Sequence, residues 1–358
     1  MSTFYETKEG ISVTRIHSGL GGLVIAILVA ASSCTRASPG EPVGMTTVHS
    51  ASLPFAPLPS WKDGATKQAI IDFVVRVSTR GTTDYVMEED RIAIFDSEGV
   101  LWPAKPLPGA SFLLGRLKSQ AAESRDLREE EPFRSLIRDK LDVIESLGAR
   151  DVLSLLGRTH AGMTDEDFAA QARMFFASAR HPRFKVPYTD LLYAPMRELL
   201  DYLSEHGFTT YISTGCDQDL IRALAPTKLA IARERVIGAT VDKELVFEAG
   251  RPILRRTREV ASFNDDADKV KNIARRIGRR PIFAVGDVGS GTDIDMLRYT
   301  RAKSGLSLAL VIQHDDAGRE VAYSERNGAT LKAAAEHDFL VVSMKNDWAR
   351  VFDTPSRK

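Results

Sequence analysis

The stretch RIAIFDSEGVLW, residues 91–102, runs an apolar segment straight into two closely spaced carboxylates. Ile92, Ala93, Ile94 and Phe95 have the unbroken apolar pattern of a strand buried on both faces. Asp96 follows at once, then Glu98 and Gly99. A polar residue and a glycine commonly close a strand, so this pair alone reads as a cap and a turn. The same event recurs downstream, however. The run 208–213 ends in Thr214 and Gly215, and the run 281–285 ends in Gly286 and Asp287. In an open α/β sheet, ligands bind beyond the carboxyl ends of the strands. Those endings therefore bring a carboxylate, a hydroxyl with a glycine, and a second carboxylate to one edge.

The rest of the chain supplies the alternation this reading needs. TKQAIIDFVVRVST carries a helical stripe at Ile70, Ile71, Phe73, Val74 and Val77. APMRELLDYLSEHG places Met196, Leu199, Leu200 and Leu203 on one face, with Pro195 near its start and Gly207 at its end. RVIGATV and ELVFEAG read as two further strands, and LSLALVI and FLVVSM as the last two. QDLIRALA, DADKVKNIARRIG, DIDMLRYT and ATLKAAAEHD read as helices between them. Strands alternating with helices predict a Rossmann-like, doubly wound parallel sheet of the α/β class. Residues 103–187 hold almost no strand signal and four helical stretches. They predict an α-helical cap inserted into a core made of residues 61–102 and 188–358. Thr164, three residues before Asp167, is the expected N-cap of the last cap helix.

The chain has 358 residues, 48 Lys+Arg against 48 Asp+Glu, and 43% hydrophobic residues. The balance removes any bulk electrostatic case for nucleic acid. The seven His are scattered, with no pair at metal-ligand spacing, which argues against zinc. The N-terminus differs in kind. GLGGLVIAILVAASSC, residues 19–34, is uncharged and shorter than the roughly 20 apolar residues of a comfortable membrane span. It suits the apolar centre of an export signal, with Lys8, Arg15 and His17 before it. Ala31, Ser32 and Ser33 ahead of Cys34 resemble a bacterial lipobox, in which the Cys becomes the acylated first residue. The expectation is a signal over residues 1–33, a Pro/Ser/Gly-rich tether over 34–60, and attachment to a membrane through Cys34 on the periplasmic face of a bacterial envelope. An ordinary cleaved signal and an uncleaved anchor are the alternatives. Cys216 is the only other cysteine. With no His near it in sequence, it reads as a buried thiol.

FDSEGVLW resembles the first motif of the haloacid dehalogenase (HAD) superfamily, and YISTG resembles the second. Lys269 in NDDADKVKNI resembles the third-motif lysine at a helix start, and FAVGDVGSGTDIDML the fourth, acidic motif. The tail is similar to a phosphoserine-phosphatase-like subgroup. The resemblance spans roughly residues 61–352 and implies phosphomonoester hydrolysis with Mg²⁺. It implies Asp96 as nucleophile and metal ligand, and Glu98 as acid/base and a further metal ligand. Thr214, Gly215 and Lys269 would bind the phosphate, and Asp287 and Asp293 would hold metal, with Asp287 preferred because it closes a strand. The chemistry is coherent: a carboxylate nucleophile splits one hydrolysis into two steps, and cations offset its repulsion with the phosphate. Two departures stand out. The family's second acid is normally Asp, here Glu98, and the spacing of Asp287 and Asp293 is long. Both motivate the alternative of a catalytically impaired binding or assembly lipoprotein on the same fold.

Overall fold

The computed structural model describes residues 57–353 apart from 123–124, 130, 132, 139–142 and 144–146. The expected signal, Cys34 and most of the tether lie outside the described residues. Among the described residues no helix is long and apolar enough to cross a membrane.

Among the described residues seven strands form one mixed sheet: β1 (Ile92–Phe95), β2 (Thr209–Asp217), β3 (Val236–Glu248), β4 (Arg251–Ser262), β5 (Phe283–Asp287), β6 (Leu308–Gln313) and β7 (Leu340–Ser343). Their order is β4-β3-β2-β1-β5-β6-β7. Every neighbouring pair is parallel except β3–β4, which is antiparallel. β1 lies at the centre, Phe95 in register with Ile212 on one side and Val285 on the other. The chain crosses from β1 to opposite sides here, so the crevice beyond β1, β2 and β5 is a topological switch point.

The helices of eight or more described residues are α1 (Ala65–Ser78), α2 (Pro108–Ala121), α3 (Ala149–Thr159), α4 (Asp165–Ser178), α5 (Ala194–Glu205), α6 (Ala267–Ile277), α7 (Ile294–Arg301) and α8 (Ala329–His337). Alternation along the central strands explains why both sheet faces are covered. Ala93 and Phe95 belong to the core under α1 and α5, whereas Ile94 belongs to the core under α6, α7 and α8. Phe95, Phe283 and Phe73 pack as tilted pairs across the first interface, 5.7–5.9 Å between ring centres. Burying one such ring is worth about 1.5–3 kcal/mol.

Two of the helices between β1 and β2, α3 and α4, pack on the β3–β4 pair, and α3 also reaches β2. Leu153 of α3 packs on Ala239 and Val241. Gly157 lets this helix touch the strand backbone, since a Cβ there would stand 2.7 Å from the Arg258 carbonyl oxygen. Thr164 caps α4 as its spacing predicts, accepting from the Asp167 amide at 3.0 Å.

Two readings of the sequence are corrected. RVIGATV and ELVFEAG are one continuous strand, β3, rather than two. The segment after them is a strand, β4, which pairs back on β3 as a long hairpin. Its arginines obscure the strand pattern, yet Arg256 is buried against Phe168, 3.8 Å from the ring centre. The helix after β2 is capped by Asp217, which accepts from the Asp219 amide at 2.8 Å.

Candidate active site

Asp96, Glu98, Lys269, Asp287 and Asp293 converge at the carboxyl edge of the sheet, each at most 9% exposed. Asp96 sits directly beyond β1, its amide bonded to the Val285 carbonyl at 2.9 Å. This ties it to β5, whose last residue is Asp287. Lys269 lies in the first turn of α6 and points inward. Its Nζ stands 3.0 Å from Asp96 Oδ1 and bonds Asp293 Oδ1 more closely still. Lys271, two residues on, is solvated and pairs with Asp268 at 2.9 Å. Asp293 stands at the N-cap of α7 without capping it. Its carboxylate instead takes Lys269 and, at 3.1 Å, the Asp287 amide.

Lys269 meets two of the four buried carboxyl groups gathered here, Asp96 and Asp293, and the electrostatics follow. Burial raises Asp96 well above the ordinary carboxylate range, Asp293 raises it further, and Lys269 opposes both. Burial also raises Glu98, against hydrogen bonds from Ser97 and Thr214. Asp287 is pushed up to about 6, chiefly by burial, with His314 opposing. Burial would lower Lys269, but Asp293 and Asp96 overturn that and hold it charged.

These residues fit a divalent cation. Asp96, Asp287 and Asp293 each bring an oxygen within 4.8 Å of the other two. Glu98 Oε1 is buried and has no hydrogen-bond partner. An all-oxygen, carboxylate-rich set is the donor chemistry of a hard ion such as Mg²⁺.

The second carboxylate is tied more firmly than its sequence suggests. Thr214 Oγ1 donates to Glu98 Oε2 at 3.0 Å and accepts from the Cys216 amide at 3.0 Å. Ser97 Oγ contacts Glu98 Oε2 and lies 2.7 Å from Thr214 Oγ1. The Thr214 hydroxyl is thus turned to Glu98, while Gly215 and Cys216 line the cavity. A Cβ at Gly215 would stand 2.5 Å from Asp265 Oδ1, so a side chain there would have to displace that carboxylate. The cavity, about 140 Å³, opens between Asp96, Glu98, Lys269 and Asp287 on one side and Leu107, Leu147 and Val152 on the other. Cys216 is a free buried thiol, raised well above its usual range by burial and by Glu98.

Three residues at the site lie in the tail that resembles the subgroup, though the resemblance assigns them no role: His314, Glu320 and Tyr323. The Tyr323 hydroxyl donates to Asp287 Oδ2 at 3.0 Å, and His314 Nε2 lies 2.9 Å from the Gly99 carbonyl oxygen. One signal was available. His314 directly follows β6, the strand-end position that singled out Asp96 and Asp287.

The fold and site together define a mixed α/β protein with a lysine-bridged acid cluster at the switch point of its sheet. No protein-family model and no curated protein matches the chain. Similar solved structures include a conserved, functionally unknown protein from Anaerococcus prevotii, at 14% identity over 77% of this chain and 91% of that one, TM-score 0.49. A HAD family hydrolase from Salmonella enterica serovar Typhi is similar at 14% identity over 66% of each chain, TM-score 0.34. A probable phosphoserine phosphatase from Vibrio cholerae is similar at 12% identity over 69% of this chain and 65% of that one, TM-score 0.35. At these identities and scores the likenesses assign no activity.

Proposed function

We propose that this chain is a phosphomonoester hydrolase of HAD type that works with Mg²⁺ through an aspartyl-phosphate. The observation that carries the reading is Lys269, buried between Asp96 and Asp293 beside a cavity that also presents Gly215. A hydrolase needs a nucleophile, positive charge beside it and room for a phosphate, and the three meet here.

In this reading an Asp96 carboxylate oxygen attacks phosphorus, and the bond from phosphorus to the ester oxygen breaks. Glu98 gives its proton to the departing alkoxide. Water then attacks phosphorus, losing its proton to Glu98, and Asp96 is released with inorganic phosphate. Burial holds Glu98 above the ordinary carboxylate range, which suits a group that must first be protonated. Lys269 offsets charge on the phosphoryl oxygens, and the Gly215 backbone admits them closely. Asp96 and Asp287 would hold the cation, with Asp293 beside them. The ion would supply Lewis-acid charge neutralisation. The helices over the site exclude water and bound the substrate.

A second reading is a fold of this type without turnover. It draws on the hydrogen bonds that occupy Glu98 Oε2. Hydrolysis of p-nitrophenyl phosphate with and without Mg²⁺ separates the two. Magnesium-dependent turnover supports the hydrolase, and its absence supports the binding protein. The proposed location is the periplasmic face of a bacterial membrane, through acylated Cys34. Cys34→Ala is expected to move the protein from the membrane to the soluble fraction, and retention at the membrane would refute acylation as the anchor.

A further inference from the structure

Buried Glu320 and His314 and half-buried Tyr323 form a chain of contacts that ends on Asp287 of the acid cluster. Glu320 is 0% exposed and His314 2% exposed. His314 Nδ1 lies 3.1 Å from Glu320 Oε2. Its Nε2 lies 2.9 Å from both the Gly99 carbonyl oxygen and the Tyr323 hydroxyl. The two rings stack, 4.1 Å between centres and 16° apart in plane. Tyr323 is held in turn by its amide, 3.1 Å from the His314 carbonyl. With its proton committed to Asp287, the Tyr323 oxygen accepts from His314 Nε2–H. That same N–H faces the Gly99 carbonyl, so the imidazole bridges two loops.

Those loops are the ones that matter. Gly99 follows Glu98 beyond β1, and Asp287 closes β5. The three groups meet too closely for an added atom. A Cβ on Gly99 would stand 2.3 Å from Asp287 Oδ2 and 2.6 Å from the Tyr323 hydroxyl. Gly99 also has φ of +78°, open to glycine at little cost. A Cβ on Gly289 would stand 2.7 Å from Asp287 Oδ2 and 3.1 Å from the Tyr323 ring. Glycines on both sides let the tyrosine reach the carboxylate.

We infer that Tyr323 and His314 are positioning residues that fix the orientation of Asp287 and its spacing from the Asp96–Glu98 loop, setting the affinity of the acid cluster for a divalent cation. The inference rests on the Mg²⁺-dependent hydrolase reading, but its readout is binding rather than turnover. Outer hydrogen bonds of this kind are worth roughly 10–100-fold in metal affinity.

The test is calorimetric titration of the purified full-length protein with Mg²⁺, wild type against Tyr323→Phe, with kcat and KM for p-nitrophenyl phosphate. The Phe variant keeps the ring on His314 and loses only the hydroxyl. Expected is a melting temperature close to wild type and Mg²⁺ affinity lower by roughly 10–100-fold. The fall in kcat at limiting Mg²⁺ should be recovered at high Mg²⁺, with KM for the ester unchanged. A merely structural role would lower the melting temperature and show no rescue by Mg²⁺. Unchanged affinity in the variant overturns the inference. If Tyr323→Phe does not melt cooperatively, His314→Gln decides by the same titration. Wild type that binds Mg²⁺ without hydrolysing the ester refutes the hydrolase reading alone, and the affinity comparison still decides this inference. Wild type that binds no Mg²⁺ overturns the inference too.

Discussion

Arg256 and Lys269 are both buried cations with carboxylate partners, yet their surroundings are built differently. Arg256 bonds Asp217 and lies 3.3 Å from Asp219, which Lys243 also meets at 2.8 Å. Lys243 reaches Asp165 at 2.7 Å, and Arg222 reaches Asp219 at 3.3 Å. Each carboxylate in that group has at least one cation of its own. Burial opposes ionisation of both aspartates here: at Asp219 Lys243 and Arg256 prevail and lower it, whereas Asp217 stays raised by burial against Arg256. Around Lys269 the carboxylates outnumber the cation, and Asp96, Glu98 and Asp287 are all raised. The first group is closed and lies away from the cavity. The second faces the cavity and still demands positive charge. Burial of charge is therefore no mark of a functional site by itself; imbalance at an open edge is.

The largest effect should come from the unbalanced group. Asp96→Asn removes the proposed nucleophile while keeping its shape. Steady-state turnover of an aryl phosphate should fall by about 10⁴-fold or more, with the melting temperature held. Turnover close to wild type in this variant would reassign the nucleophile.

Arg256→Met tests the balanced group. It leaves Asp217 buried without its closest cation, and such losses cost about 3–5 kcal/mol. Urea unfolding should report that loss, while the protein that remains folded keeps its kcat within a few-fold. A large loss of turnover with unchanged stability would show that the two groups are not separable.

Glu98→Gln keeps the contacts to Ser97 and Thr214 and removes only the exchangeable proton. The expected loss in kcat is about 10²-fold, at the lower end for general acid/base catalysis. No loss would mean that the carboxyl holds Thr214 in place and moves no proton.

The contrast also explains what could be read from the sequence. Strand ends pointed to Asp96, Thr214, Gly215 and Asp287; Asp96 follows β1 and Asp287 closes β5, whereas β2 runs on through Thr214 and Gly215 to Asp217. Lys269 came from the resemblance alone, as the third-motif lysine at a helix start. The balanced group was invisible, because it depends on β4, where Arg255, Arg256 and Arg258 mask the strand pattern. Nothing local says that one of those arginines faces Phe168 and Asp217. Thr214 was placed correctly along the chain, but its hydroxyl is turned to Glu98, a choice made by Ser97 beside it. His314 was missed for another reason. Its partner Gly99 is 215 residues away, so the contact exists only once β6 and β1 share a sheet.

Acidity should draw the two sides of the molecule apart by the smallest margin. His160 stacks on Phe112 and is held to about 3 by burial, with Arg256 and Arg116 assisting. His181 is held to about 4, again chiefly by burial. An unfolded histidine titrates near 6.5. Between those values the unfolded chain carries more protons, so folding stability falls as pH drops below about 6.5, by at most about 1.4 kcal/mol per pH unit for His160. Asp287 acts in the opposite sense. Its folded value near 6 exceeds the unfolded 3.8, so its contribution is present below 3.8 and lost as pH rises through about 6. Acid therefore destabilises the helical layer, whereas protonation of Asp287 in the acid cluster favours the folded state. Urea unfolding of His160→Gln from pH 7.5 to 4.5 isolates the first term. Its stability should decline less steeply toward acid than that of wild type, by up to about 1.4 kcal/mol per pH unit below 6.5. Identical slopes would place the His160 ring in contact with water, and the acid sensitivity of the fold would then have to come from its carboxylates.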